Sequence, residues 1–305
     1  MSPFPTDVRP VDVYISFPQT NPSATTDRYR SVLKDADSQA TERHPAEYMF
    51  KDIPAVITED DDPVAVLLAE LDRHGIELAL VNLDSPATPR ALEQHPDRFR
   101  ATVNVDPKDV SGAVRKIRDS AARYRVHGVV SFPGGVQVAI NDARYYPVYQ
   151  TCVDLDIPII MNAGVAGPRF PSVDIQYVGH FDRVCYEFPE LKIVMCHGSE
   201  PWEELAVKLM LKYPGLHYCT SAFAPKYYPK AIIDFANTRG ADKIIYAGYY
   251  PSGLSLDRIF RELPDVPFRD HVWPKFLREN AMRVFRLDED LSPNVAARDP
   301  LTAMR

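Results

Sequence analysis

The sequence predicts a (β/α)8 barrel of the TIM-barrel class. Three observations carry this: eight short β-rich runs, amphipathic helical stretches between them, and no glycine-rich phosphate loop after the first run. The length of 305 residues suits one such domain spanning 1–305.

The runs are Val11–Phe17, Glu77–Asn82, Phe99–Val105, Val126–Ser131, Ile157–Met161, Lys192–Cys196, Leu216–Ser221 and Lys243–Gly248. Several are apolar throughout, as in Ile244-Ile245-Tyr246-Ala247, which suits a parallel strand covered on both faces. Among the helical stretches, Val64 to His74 sets Val64, Leu67, Leu68 and Leu71 on one face and stops at Gly75. Ser111 to Tyr124 groups Val114, Ile117 and Ala121. Pro147–Leu155, Glu203–Leu211 and Ala231–Asn237 follow the same spacing. Two segments break the rhythm. Residues 18–62 are polar and proline-bearing, with the acidic run Glu59-Asp60-Asp61-Asp62. After a first barrel strand they emerge on the face where barrel chemistry sits, and they are read as a lid or pocket wall. His44, within Arg43-His44-Pro45, is read as an ordinary loop histidine. The second segment, 163–173, carries Gly164, Gly167, Pro168 and Pro171 and should overhang the same face. The polar tail, 288–305, is read as mobile or as part of an oligomer contact.

Composition narrows the partners. Apolar residues make up 45% and charged residues 25%, as in globular domains. A net charge of -7 opposes general nucleic-acid binding, which needs clustered Lys and Arg. No apolar run approaches the ~20 residues of a membrane span. The start of the chain lacks the basic and apolar parts of an export signal. Cys152, Cys185, Cys196 and Cys219 form no Cys-x-x-Cys pair, so they are read as buried thiols and not as a zinc or redox cassette. The expectation is a cytoplasmic protein acting on a small molecule, with no nucleic-acid or membrane partner.

The strand tips carry the chemistry of a barrel. The first strand reads Val11-Asp12-Val13-Tyr14-Ile15-Ser16, and the fifth ends Ile160-Met161-Asn162-Ala163-Gly164. The sixth ends Val194-Met195-Cys196-His197-Gly198, and the eighth runs to Ala247-Gly248-Tyr249-Tyr250-Pro251. With Asn141-Asp142-Ala143-Arg144-Tyr145-Tyr146-Pro147 before strand five and the closing Glu279-Asn280-Ala281, this order resembles the amidohydrolase-related family, of the aminocarboxymuconate-semialdehyde decarboxylase type. The resemblance covers about Asp12 to Leu287. It implies His-x-His after strand one, where Tyr14 and Ser16 stand, and His after strand five, where Asn162 stands. It implies His after strand six, matched by His197, and Asp after strand eight, where Tyr249 stands. A catalytic zinc needs three protein ligands. Of the implied set only His197 is left, so the expectation is no metal and no cofactor.

The replacements remain polar and converge on one face. His197 is the candidate acid or base, titrating near the free imidazole value of ~6.5. Tyr14 and Tyr249 are candidate oxyanion donors, and Asn162 a candidate carbonyl polariser. Ser16, Glu200, Arg169 and Phe223 are candidate substrate contacts: Glu200 as a partner of His197, Arg169 as a clamp for an anionic group, Phe223 as an apolar wall. These residues point to a metal-independent hydrolase of an ester, lactone, thioester or activated C–C bond. A lyase, decarboxylase or hydratase, is the alternative implied by the resemblance, and a non-catalytic binding barrel is the third reading. The resemblance also implies a homo-oligomer, with aromatics around Trp273 and Phe276 as a candidate contact.

Overall fold

In the computed structural model, which describes residues 4–21, 23–50, 53–54 and 57–289, eight parallel strands follow one another across one sheet in sequence order. They are β1 (Val11–Asp12), β2 (Leu78–Asn82), β3 (Phe99–Asn104), β4 (Val126–Ser131), β5 (Ile159–Asn162), β6 (Ile193–Cys196), β7 (Leu216–Cys219) and β8 (Ile244–Ile245). The helices Pro63–Arg73, Thr88–Gln94, Val110–Arg123, Tyr146–Asp154, His180–Glu187, Glu203–Lys212 and Lys230–Ala236 return the chain between successive strands, and Leu256–Glu262 follows β8. The expected helices are therefore present within a residue or two of their read bounds.

Local chemistry explains the boundaries. Before Pro63–Arg73 the Asp62 carboxylate accepts the Val64 N–H, and Pro63 needs no N–H partner in the first turn. That helix buries Val64, Leu67 and Leu71, the face read from the sequence. Asp109 and Ser255 cap Val110–Arg123 and Leu256–Glu262 in the same way. Two apolar layers result. One lies between sheet and helices. The other fills the inside of the sheet with Val11, Val13, Leu80, Ile160, Val194, Cys196, Cys219 and Ile245, and Phe285 of the closing helix Asn280–Phe285 joins it. All four cysteines are free and buried.

The ends of the sheet depart from expectation. β1 and β8 span two residues each, against seven and six residues read from sequence, and among the described residues no ladder joins them. The closed ring is thus corrected to a barrel-like α/β sheet with an unladdered seam. Asp12 bridges that seam. Its buried carboxylate accepts the Tyr14 and Gly248 N–H groups, each at 3.0 Å. Acceptance of the Tyr14 N–H by that side chain ends β1 early, and β8 stops where the Tyr246 N–H turns to the Phe276 carbonyl at 2.9 Å and the Ala247 N–H to Thr220 Oγ1 at 3.3 Å. An added Cβ on Gly248 would stand 2.5 Å from Asp12 Oδ2, so glycine is required for the carboxylate to sit there. Beyond the carboxylate, Tyr249 N–H donates to the Tyr14 carbonyl at 2.9 Å and Ser16 N–H to the Tyr250 carbonyl at 2.8 Å. Desolvation raises the Asp12 pKa to about 6 against the pull of its two N–H donors.

Among the described residues no helix is long and apolar enough to cross a membrane. Trp273 and Phe276 are fully buried, so the aromatics considered for an oligomer contact belong to the core. Most of the polar tail, from 290 onward, lies outside the described residues.

Candidate active site

The tips of β1, β6 and β8 bring three of the expected residues together. The Tyr14 and His197 rings meet edge-on at 5.2 Å between centroids, His197 and Tyr249 at 4.7 Å, and Tyr14 and Tyr249 at 5.8 Å. The backbone is bent to do this. His197 and Tyr249 hold left-handed φ values of 64° and 61°, and Ala222 at the β7 tip holds 69°. Each such conformation costs a non-glycine residue roughly 1–2 kcal/mol. Strain of this kind persists where surrounding structure enforces it, and it clusters at functional sites.

His197 Nδ1 lies 2.8 Å from Ser221 Oγ, and the same oxygen accepts the His197 N–H at 3.3 Å. Ser221 is therefore the partner of His197. The sequence reading placed it at a strand end and gave it no role. Glu200, offered for that role, has an exposed side chain, and burial of part of it beside Glu203 raises its pKa. Asn162 is buried at the end of β5. Its Oδ1 accepts the Cys196 thiol at 3.3 Å. Ser16 sits in the seam described above. Phe223 packs over Gly198: a Cβ there would meet its ring at 2.3 Å, and Gly198 itself has φ +92°. Gly198→Ala should therefore destabilise the fold by roughly 2–3 kcal/mol in urea melts. A loss under about 0.5 kcal/mol, the scale of an ordinary surface change, would mean that Phe223 is not seated there.

Described residues of the 18–62 segment, His44 and Phe50, pack onto the same tips. His44 Nε2 lies 3.1 Å from the Tyr249 hydroxyl, and its ring packs edge-on against Phe50 at 5.1 Å. His44 is thus a site residue that sequence reading missed. It stands in an irregular polar stretch with no periodicity to mark it, and the aromatic and apolar flank Ala46 to Phe50 was the available signal. Arg169, from the loop after β5, pairs with Asp35 at 2.9 Å and Asp37 at 3.4 Å and lies 4.6 Å over the Tyr48 ring. Tyr48 Oη also donates to the Gly167 carbonyl. Arg169 therefore ties the two overhanging segments together at the rim.

The group is uncharged at neutral pH. Burial lowers the His197 pKa to about 3, with His44 adding to the shift, and lowers His44 to about 4. This corrects the expectation that His197 titrates near the free imidazole value. Burial holds both Tyr14 and Tyr249 far above the ordinary phenol range. Tyr14, His197 and Tyr249 nonetheless keep part of their surface open, as groups that meet a ligand must. Among the described residues no cluster of three or more His, Cys, Asp or Glu is arranged to hold a metal ion. Two protonated phenols, an amide oxygen taken by a thiol and an imidazole bonded to a serine do not make a site for a divalent ion.

Residues 33–287 match the amidohydrolase family. No curated protein matches the chain. An uncharacterised TIM-barrel protein from Bordetella bronchiseptica is 21% identical, with 92% of this chain and 99% of that one covered at a TM-score of 0.68. A 5-carboxyvanillate decarboxylase from Novosphingobium aromaticivorans, in complex with manganese and 4-hydroxy-3-methoxy-5-nitrobenzoic acid, is 16% identical, with coverages of 92% and 96% and a TM-score of 0.65. A 2,6-dihydroxybenzoate decarboxylase from Rhizobium is 19% identical, with coverages of 92% and 100% and a TM-score of 0.60. At such identities the likeness shows the fold alone. The two relatives named by activity are decarboxylases, and the expectation of a hydrolase is withdrawn on that finding.

Proposed function

The chain belongs to the amidohydrolase family, and from that premise we propose that it is a carboxy-lyase releasing CO2 from a small aromatic or unsaturated acid. The observation that carries the reading is the uncharged cluster of Tyr14, His197 and Tyr249 at the strand tips. The decarboxylase relatives suggest hydroxylated benzoates as the substrate class. The whole chain, 1–305, acts as one catalytic domain, and the 18–62 segment is its lid.

The chemistry follows from neutrality. A carboxylate entering this cluster leaves its hydration behind and meets no opposite charge among the three residues. Carbon dioxide is neutral and bears no such penalty, so the environment favours the product side of the bond cleavage. A hydroxylated ring takes a proton at the carbon bearing the carboxylate. The C–C bond then breaks, its electron pair returns to the ring, and CO2 leaves. The net change is one proton consumed per CO2 released. Tyr249 supplies the proton, with the His44 imidazole at its oxygen offsetting the burial that otherwise holds the phenol protonated, and is reprotonated from water. Tyr14 and the His197–Ser221 pair hydrogen-bond the ring oxygen on which charge changes during the step. No step is routed through a metal.

The test is a panel of hydroxylated benzoates and unsaturated acids, with CO2 release followed by mass spectrometry. At least one acid should turn over, and its rate should be unchanged by a chelator. Failure of every acid, combined with unconverted binding of one of them, would replace the enzyme with a binding protein.

A further inference from the structure

We infer that His44 is the positioning residue that aims the Tyr249 proton into the site, so the proton donor is complete only when the stretch from His44 to Phe50 is seated. The inference deepens the carboxy-lyase reading and rests on it. It begins with a backbone contact. The Ala46 N–H donates to His44 Nδ1 at 3.0 Å. A ring nitrogen that accepts a hydrogen bond carries no proton, so the imidazole holds its single proton on Nε2. Nε2 lies 3.1 Å from Tyr249 Oη. The N–H therefore donates, and the phenol oxygen accepts. A phenol oxygen that accepts on one side keeps its own proton in the ring plane on the other, away from His44.

The same bond has a second effect. When the Tyr249 proton leaves, the oxygen becomes an anion, and a donor to an anion is roughly twice as strong as a donor to a neutral oxygen. His44 thus holds the phenolate more tightly than the phenol. The imidazole is 4% exposed and wedged against Phe50 and Tyr249, which fixes the ring that makes the bond. Its depressed pKa agrees with the single-proton state that the geometry requires.

His44 does not come from the strands. It rides on the segment after β1, which is fastened at its rim by Arg169 to Asp35 and Asp37 and by Tyr48 to Gly167. The orientation of a proton at the tip of β8 therefore depends on contacts made at the loop after β5.

Two measurements decide it. The first needs no substrate: a two-bond proton–nitrogen spectrum of the histidine rings in the native protein at pH 7, with His44 assigned by its loss in His44→Gln. The expected state is a neutral ring protonated on Nε2. A ring protonated on Nδ1, or on both nitrogens, overturns the inference. The second uses the most active acid of the panel. His44→Phe keeps the ring and removes the donor, and it should lower kcat about tenfold to a hundredfold with KM little changed. His44→Gln restores an N–H donor and should recover most of that loss. Equal kcat in native and His44→Phe, or no recovery in His44→Gln, also overturns it. A ring protonated on Nε2 in a chain that decarboxylates nothing sinks the carboxy-lyase reading and leaves the hydrogen-bond assignment standing.

Discussion

Tyr249→Phe should lower turnover of the identified acid by roughly 10²–10⁴-fold, the span of a lost general acid. KM should move little, because the hydroxyl acts on the proton in flight and not on the bound carboxylate. The fold should survive, since phenylalanine keeps the ring contacts to Tyr14, His197 and Phe50. The Tyr249 main-chain N–H still donates to the Tyr14 carbonyl at the seam. The His44 N–H loses its acceptor in this variant, at a cost of about 1–3 kcal/mol in stability. Circular dichroism and a urea melt separate that loss from the loss of rate. A folded Tyr249→Phe with native kcat would reduce Tyr249 to a space-filling side chain and shift the proton donor to another group.

Acid should unfold this protein steeply. Four imidazoles have strongly depressed pKa values, the buried His44, His127 and His217 and the part-exposed His197: His44 and His127 at about 4, His197 and His217 at about 3. Burial is the first cause in each case. In the unfolded chain all four take up a proton near pH ~6.5. Between that value and about pH 4 the unfolded state holds the extra protons, so stability falls as pH falls. Asp12 works in the opposite sense. Its folded pKa, raised to about 6, lets the native state hold one proton more than the unfolded state below that value, and its penalty applies at higher pH. The histidines outnumber it. A net difference of about three protons gives a slope of about 4 kcal/mol per pH unit. Domains of this kind are stable by about 5–15 kcal/mol, so most of that margin disappears between pH 6 and 4. Urea midpoints at pH 7, 6, 5 and 4.5 measure it. A midpoint that holds constant across that range would show that these imidazoles are charged, or solvated, in the folded state.

How much of this was legible in the sequence depends on periodicity. The strands from β2 to β7 sit within two residues of the runs read from sequence, because burial leaves short β-rich runs set off by the longer amphipathic helices between them. β1 and β8 are shorter than their runs because the Asp12 side chain takes the Tyr14 N–H, while the Phe276 carbonyl and Thr220 hydroxyl take the Tyr246 and Ala247 N–H groups, and pattern cannot show such partners. Tyr14, His197 and Tyr249 were legible as strand-tip residues, and the structure brings their rings within 6 Å of one another. Ser221 and His44 were not. The first reaches His197 from a neighbouring strand, and the second reaches Tyr249 across 205 positions. Such meetings are set by the closing of the fold and not by any local spacing. The free-imidazole titration expected of His197 fails for the same reason, since desolvation is a property of the assembled site.

The seam between the two ends of the sheet also bears on how the molecule comes into being. Asp12 and Gly248 meet across 236 positions, and Tyr14 and Tyr249 meet beside them. Bringing together points so distant carries a loop entropy that no local contact offsets, and contacts of that range form slowly. Helices and the middle strands can assemble from neighbours as the chain lengthens. The group of Tyr14, His197 and Tyr249 cannot, because its first member lies near one end of the chain and its last near the other. The site therefore exists only once the two ends of the chain have met. A partly folded chain can hold most of its secondary structure and still lack the ring cluster of Tyr14, His197 and Tyr249.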